Sequence, residues 1–188
     1  APDARERWIK WYLSLTEKYG GIDRHEWHIH YDHLDHNWDD ILATIQWCID
    51  NDRYADVVQL WQHISEFTHS YGYWGDRLNL TAWIIAEAER RGKWSPAVRC
   101  LNDRAFTLLL TGLPVNLNEA HDLLQRAWML RDHGDVIVQA RTATLTASVA
   151  MRQSNYSESH AWLDTAETLL LEATLDTKTQ NRELAAIS

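Results

Sequence analysis

Glycine and proline are scarce in this chain, at 7 and 3 of 188 residues. A turn-rich all-β protein spends both at its many reversals, so that class is excluded and long helices are favoured. Cysteine is scarcer still. Cys48 and Cys100 stand far apart, with neither the density of a disulfide framework nor the paired spacing of a zinc site. Buried free thiols in a reducing cytoplasm are the expectation. No apolar run approaches the roughly 18 residues that a membrane-spanning helix needs, and no signal peptide is visible. Basic residues are outnumbered, with 18 Lys and Arg against 27 Asp and Glu and a net charge of −9. A phosphate backbone calls for a basic stripe, so neither a nucleic acid nor a membrane is an expected partner. The short run Arg90, Arg91, Lys93 suits a helix C-terminus, where the dipole favours cations.

Sequence motifs for catalysis are missing too. There is no GxxxxGK followed by Ser or Thr to cradle a nucleotide. There is no GxSxG, no HExxH, and no Cys–His or Ser–His pairing that stands out. No enzymatic activity and no cofactor are expected. One stretch raises a metal question: residues 25–36, HEWHIHYDHLDH, hold five of the ten histidines. On a helix His25, His28 and Asp32 would share a face, with His36 one turn further on. Imidazole and carboxylate suit zinc or nickel. The plainer reading is a helix that packs through Trp27, Ile29, Tyr31 and Leu34 and leaves its histidines solvated. That reading is preferred, with the metal module as a minor alternative.

What the chain does have is 45% hydrophobic residues and 11 tryptophans, set at helical spacing. Apolar residues recur at steps of three and four in segment after segment, and no stretch alternates as a strand would. About nine helices are expected, all-α throughout. Turns of two to six residues make consecutive helices antiparallel neighbours. Asp3, Asp23, Asn37, Ser95 before Pro96, Asn118 and Ser157 read as start signals. The order of segments over residues 73–154 repeats: LNDRAFTLLLTG precedes LNEAHDLLQRAWML, and TATLTASVAMRQS precedes NYSESHAWLDTAETLL. Gly72, Gly112 and Ser154 fall at equivalent points, a period of about 40 residues, which signals a helical solenoid. Residues 1–36 read as an N-terminal helix plus the His-rich segment, and 37–188 as the repeats. The chain opens at Ala1 and closes inside an apparent helix, so a piece of a larger protein is expected.

The second half resembles tetratricopeptide repeats. Ser154, Tyr156, Ser159, Leu163 and Ala166 match the pattern of a small residue, an aromatic and then a helix with small residues at the pair's closure. Gly112, Leu117, Ala120, Leu124 and Ala127 match it again, and Ala105 and Ala147 stand where the family has Gly or Ala in the first helix. The period departs from the usual 34 residues, and residues 113–117 read as an insertion. Longer repeats of this kind resemble those beside the NB-ARC-type module of bacterial signal-transduction (STAND) ATPases. Residues 34–78 resemble the segment that joins such modules to their repeats, through Asp40-Ile41, Trp47 and Tyr71-Gly72-Tyr73-Trp74. The resemblance implies a right-handed superhelical array of antiparallel pairs, and a non-catalytic sensor or scaffold that binds a protein or peptide in the cytoplasm.

In that register the first helix of each pair lines the concave face. The groove residues would be Gln59, Gln62, Glu66 and His69, then Arg99, Asn102, Phe106 and Leu109, then Arg141, Thr144, Ser148 and Met151. Arg99, Asn102 and Arg141 would grip a carboxylate or acidic peptide, unless they are solvated helix-face residues. A small ligand such as a sugar is the alternative occupant. Trp47, Trp61, Trp83, Trp128 and Trp162 fall on packing faces. Self-association through apolar end faces is a further possibility.

Overall fold

The computed structural model describes residues 4–21, 27–185 and 187. The expected caps Asp3 and Asp23, and the candidate ligand His25, lie outside them. Every regular element among the described residues is helical: α1 (Ala4–Tyr19), α2 (Trp27–Asp35), α3 (Trp38–Asp50), α4 (Tyr54–Ser70), α5 (Trp74–Arg91), α6 (Trp94–Leu110), α7 (Pro114–Met129), α8 (Val136–Arg152), α9 (Tyr156–Glu172) and α10 (Thr177–Ala185). A 3-10 turn, Arg131–His133, follows α7. The fold class is as expected from the periodicity. Among the described residues there are ten α-helices where about nine were expected, because the His-rich segment forms a helix of its own. No helix among the described residues is long and apolar enough to cross a membrane.

Helix starts differ from the expected signals. α6 begins at Trp94, with Lys93 at the cap, so Ser95 lies inside the first turn. α7 begins at Pro114, four residues before Asn118. Proline has no N–H to leave unsatisfied and a φ already set for the first turn, so the supposed insertion is helix from Pro114 on, with Leu113 as its extended cap. Asn155, not Ser157, caps α9, its Oδ1 accepting from the Glu158 N–H at 3.4 Å. Asn37 does occupy the cap of α3 but makes no cap bond. Its amide donates instead to the His33 carbonyl at 2.8 Å.

Helix stops are more regular than the starts. Asp52, Gly72, Gly92, Gly112 and Ser154 all have positive φ, between 56° and 80°. The first four are spaced by twenty residues, half of the period read from the sequence. After Asp52, Gly72, Gly92 and Ser154 the next N–H reaches back five residues to a helix carbonyl: Arg53 to Cys48, Tyr73 to Thr68, Lys93 to Ala88 and Asn155 to Ala150, at 2.8–3.0 Å. This is the left-handed stop that satisfies orphaned carbonyls at a helix end. Gly134, with φ −102°, and Ala173 after α9, with φ −78°, are not left-handed; at Gly134 a 3-10 turn makes the reversal.

The chain divides into two compact units, Ala1–Leu80 and Thr81–Ser188. In the first, α1 packs on α4, α3 and α2, and α3 packs on α4. Gly20 lets the end of α1 close on α4, since a Cβ there would lie 2.0 Å from the His63 carbonyl oxygen. The core is aromatic: Phe67 (0% exposed) lies 5.4 Å from Trp38, 5.7 Å from Tyr31 and 5.5 Å from Tyr73 between ring centroids. In the second unit α6 packs on α7, α8 on α9, α7 on α8, and α6 on α8. Here the closures are alanine: Ala105, Ala120, Ala127, Ala143, Ala147 and Ala166 are all buried. These include the small residues that carried the repeat pattern. Small side chains let helix backbones approach closely and regularly.

Candidate partner-binding site

In the second unit α6 and α8 run side by side in the same direction, joined residue to residue along their length. Arg99 meets Asp135 at 2.5 Å, and Asn102 donates to Thr142 Oγ1 at 2.9 Å. Asp103 Oδ1 meets Arg141 Nη2 at 3.2 Å, and near the far end Arg152 Nη1 donates to the Leu109 carbonyl at 2.5 Å. Partners advance together along both helices, as parallel neighbours require. Three of the expected groove residues, Phe106, Arg141 and Thr144, line one cavity of about 210 Å³. Ala140, Leu145, Leu170, Glu183 and Ile187 complete its lining.

The cavity is mostly apolar, with two charged residues in its wall. Arg141 is half-exposed, and its guanidinium carbon lies 5.7 Å from the Phe106 ring centroid. Its partner Asp103 is buried, at 8% exposure. That carboxylate neutralises a cation placed beside an apolar wall as an ion pair at 3.2 Å, and a guanidinium carries five N–H donors in all. The Thr144 hydroxyl turns back to the Ala140 carbonyl at 3.0 Å, and Ser148 to Thr144 in the same way at 3.1 Å. Both therefore present methyl or methylene surface more than a free hydroxyl.

Other expected groove residues fall elsewhere. Asn102 is 1% exposed. It sits inside the α6–α8 seam, where its amide donates to Thr142 and to the Val138 carbonyl at 3.3 Å. It is therefore a seam residue and not a wall of an open groove, because its short side chain reaches only the neighbouring helix. Leu109 is buried as well, at 4%. Arg99 is exposed, and its partner Asp135 also caps α8 by accepting from the Val138 N–H at 2.9 Å. An exposed pair of that kind contributes about 0–1 kcal/mol, so it yields readily to another carboxylate. Gln59, Gln62, Glu66 and His69 share one face of α4 in the first unit, the glutamines exposed and the other two half-buried.

The histidine segment is organised as a docking surface for tyrosines. Tyr71 Oη donates to Asp32 Oδ1 at 2.5 Å and lies 3.2 Å from the His28 carbonyl. Tyr73 Oη donates to Asp35 Oδ1 at 2.6 Å. Both phenols are pushed up to about 12, chiefly by these bonds to the carboxylates. His36 Nδ1 turns to the Asp32 carbonyl at 2.6 Å, and the His33 ring stacks on Tyr19 at 4.3 Å. Among the described residues no three His, Cys, Asp or Glu side chains are arranged to hold a metal ion. Asp32 and His36, proposed as ligands, thus have local partners. The i, i+4 spacing that suggested a shared metal also lets a side chain reach its own helix backbone.

Sequence reasoning missed two charged groups. Arg77 looks like a solvated helix residue but is 1% exposed. Its Nη1 donates to the Ser65 carbonyl and, at 3.1 Å, to Thr68 Oγ1, while its guanidinium carbon lies 4.9 Å from the Trp61 centroid. It shares the inner face with Leu80, Thr81 and Ile84, and that periodicity was its only signal. Asp103 was missed likewise; its spacing from Leu101 and Ala105 gave no hint that a carboxylate would be buried. A scan against models of known protein families finds no match for this chain, and a search of curated proteins finds no relative.

Proposed function

We propose that this chain is a non-catalytic, tetratricopeptide-like module that binds a protein or peptide partner, and that it serves as sensor or scaffold in a larger cytoplasmic signal-transduction ATPase of the bacterial STAND kind. The cavity between Phe106, Arg141 and Thr144 carries this reading. Its volume of about 210 Å³ is below the roughly 300–1,000 Å³ of pockets that enclose a drug-sized ligand. It suits one side chain of a longer partner. The apolar wall would take an aliphatic group, and the unused donors of Arg141 would take a neighbouring carboxylate. The sugar-sensing alternative draws on the same cavity but lacks room and free hydroxyl partners, since Thr144 and Ser148 bond to their own helix. The helix pairing and the burial of Cys48 and Cys100 accord with the reading.

The test is a displayed library of peptides rich in acidic and aliphatic residues, panned against the full chain. Enriched sequences should bind the parent and lose at least about tenfold in affinity, or roughly 1.4 kcal/mol, on Arg141→Glu and on Phe106→Ala. A library that yields no binders, or binders indifferent to both substitutions, would overturn the proposal.

A further inference from the structure

α10 packs on α9. None of its residues is buried, yet Ala140, Ala143, Ala166 and Leu170 in the surface beneath are 0–3% exposed. Leu184 and Ile187 rest half-buried against those four residues, with Leu175 beside them. Glu183 and Ile187 also close the cavity that Phe106, Arg141 and Thr144 line. Gln180 Nε2 donates to the Leu170 carbonyl at 2.8 Å, at the end of α9. The helix is nine residues long and polar over most of its surface, TKTQNRELA. A helix this short is not stable on its own in water and depends on what it packs against.

The geometry points to α10 as a resident, replaceable occupant of a helix-binding face on α8 and α9. We propose that the partner docks there by taking its place, as an amphipathic helix with a carboxylate directly before a leucine and a second aliphatic residue three positions later. This proposal rests on the partner-binding reading above and gives the partner's chemistry. α10 and the turn after it supply the template. Glu183 and Ile187 reach the same cavity, while Leu184 and Ile187 cover the same alanines. Ile187 follows the end of α10, and its N–H donates to the Leu184 carbonyl at 3.1 Å in a last turn that keeps it beside the helix. The Glu183 carboxylate in the wall is paired with its own neighbour Arg182 at 2.8 Å, and Arg141 is engaged by Asp103 through one nitrogen. A partner carboxylate free of such a neighbour would gain the remaining donors of Arg141. α10 holds its place mainly by being tethered, since a short linker gives an effective concentration in the millimolar range. A partner helix with more buried apolar surface outcompetes it.

The test uses the full chain and a fluorescein-labelled peptide of residues 176–188, DTKTQNRELAAIS, read by fluorescence anisotropy. Leu184→Asp loosens the cover from outside the core, and circular dichroism verifies that the variant keeps its helix content. It should bind the peptide at least about tenfold more tightly than the parent. Adding Arg141→Glu should reverse the gain, and a scrambled peptide should not bind. A Leu184→Asp variant that binds the peptide no better than the parent would sink the replaceable-cover proposal. In that case loss of library peptides on Arg141→Glu leaves the partner-binding reading standing, and indifference there removes both. Hydrogen exchange on the unmodified chain is the second measurement. The amides of α10 should exchange at least about a hundredfold faster than those of α8 and α9, and equal protection overturns the proposal.

Discussion

The two units solve the same packing problem with opposite side chains. The first fills its interior with rings: Trp38, Tyr31, Phe67, Tyr71 and Tyr73 meet at centroid distances of 4.6–6.0 Å. Their hydroxyls and indoles then find polar partners at the rim, as when Trp38 Nε1 donates to Asp76 at 3.2 Å. The second brings helices together over buried alanines, with Trp128 and Trp162 packed against the end of that core. Large rings bridge irregular spaces and tolerate crossings that do not repeat. Alanine closures demand the same close approach each time. The regular unit is therefore the one in which a repeat can be read. It is also the one that leaves an organised seam between α6 and α8, and a cavity beside it.

The largest expected effects test that contrast directly. Phe67→Ala should destabilise by about 4 kcal/mol, since it removes a fully buried ring and leaves a cavity. Ala143→Leu should cost about 2 kcal/mol for the opposite reason, because added volume forces the closure apart. Urea unfolding followed by circular dichroism measures both. A near-neutral Ala143→Leu would mean that the second unit is loosely packed and the comparison is false.

A smaller effect concerns the stops. No atom lies within 4 Å of a Cβ built on Gly112, which has φ +67°. Gly112→Ala therefore meets only backbone strain, and should cost about 1 kcal/mol. Ser154 already bears that strain at φ 62°, so Ser154→Gly should be neutral or stabilising by a few tenths of a kcal/mol. Thermal melts of the two variants, compared with the parent, decide it. If both substitutions destabilise equally, the two stops are not equivalent.

The smallest effect separates the units by pH. His63 Nδ1 lies 3.0 Å from Thr16 Oγ1, which also lies 3.0 Å from the Leu13 carbonyl oxygen. Burial lowers the His63 pKa below its ordinary 6.5, partly opposed by Glu17. The folded state thus binds this proton more weakly than the unfolded one. Stability contributed by neutral His63 is present above the unfolded value and declines as pH falls through 6.5 and towards the lowered folded value. Melting temperatures at pH 7.5 and 5.5 should diverge more for the parent than for His63→Gln. An unchanged difference would show that the α1–α4 contact is indifferent to this charge.

Much of the fold was legible because helix periodicity and stops are local. Trp61 reads as a packing residue and is buried, and Gly72, Gly112 and Ser154 read as equivalent stops and share a left-handed φ. Helix starts were less legible, since several residues near each start have capping chemistry and only the chain's exit path selects one. The site was legible in part. Phe106, Arg141 and Thr144 share a cavity because α8 lies beside α6, as the repeat suggested. Asn102 is buried by the same closeness, and a polar residue aimed at a neighbouring helix looks no different in sequence from one aimed at solvent. Glu183 and Ile187 join the lining from α10, across a tertiary contact that no local pattern announces.

The two reversals inside the second unit have a consequence for how such a chain can change in length. Gly112 and the 3-10 turn before Gly134 each reverse the chain, so α6 and α8 point the same way because an even number of reversals separates them. Gaining or losing one helix between them would point α8 the other way, and would turn Arg141 away from Asp103. Gaining or losing two preserves direction and register alike. Length in this molecule has a parity, and the 40-residue period is the smallest change that respects it.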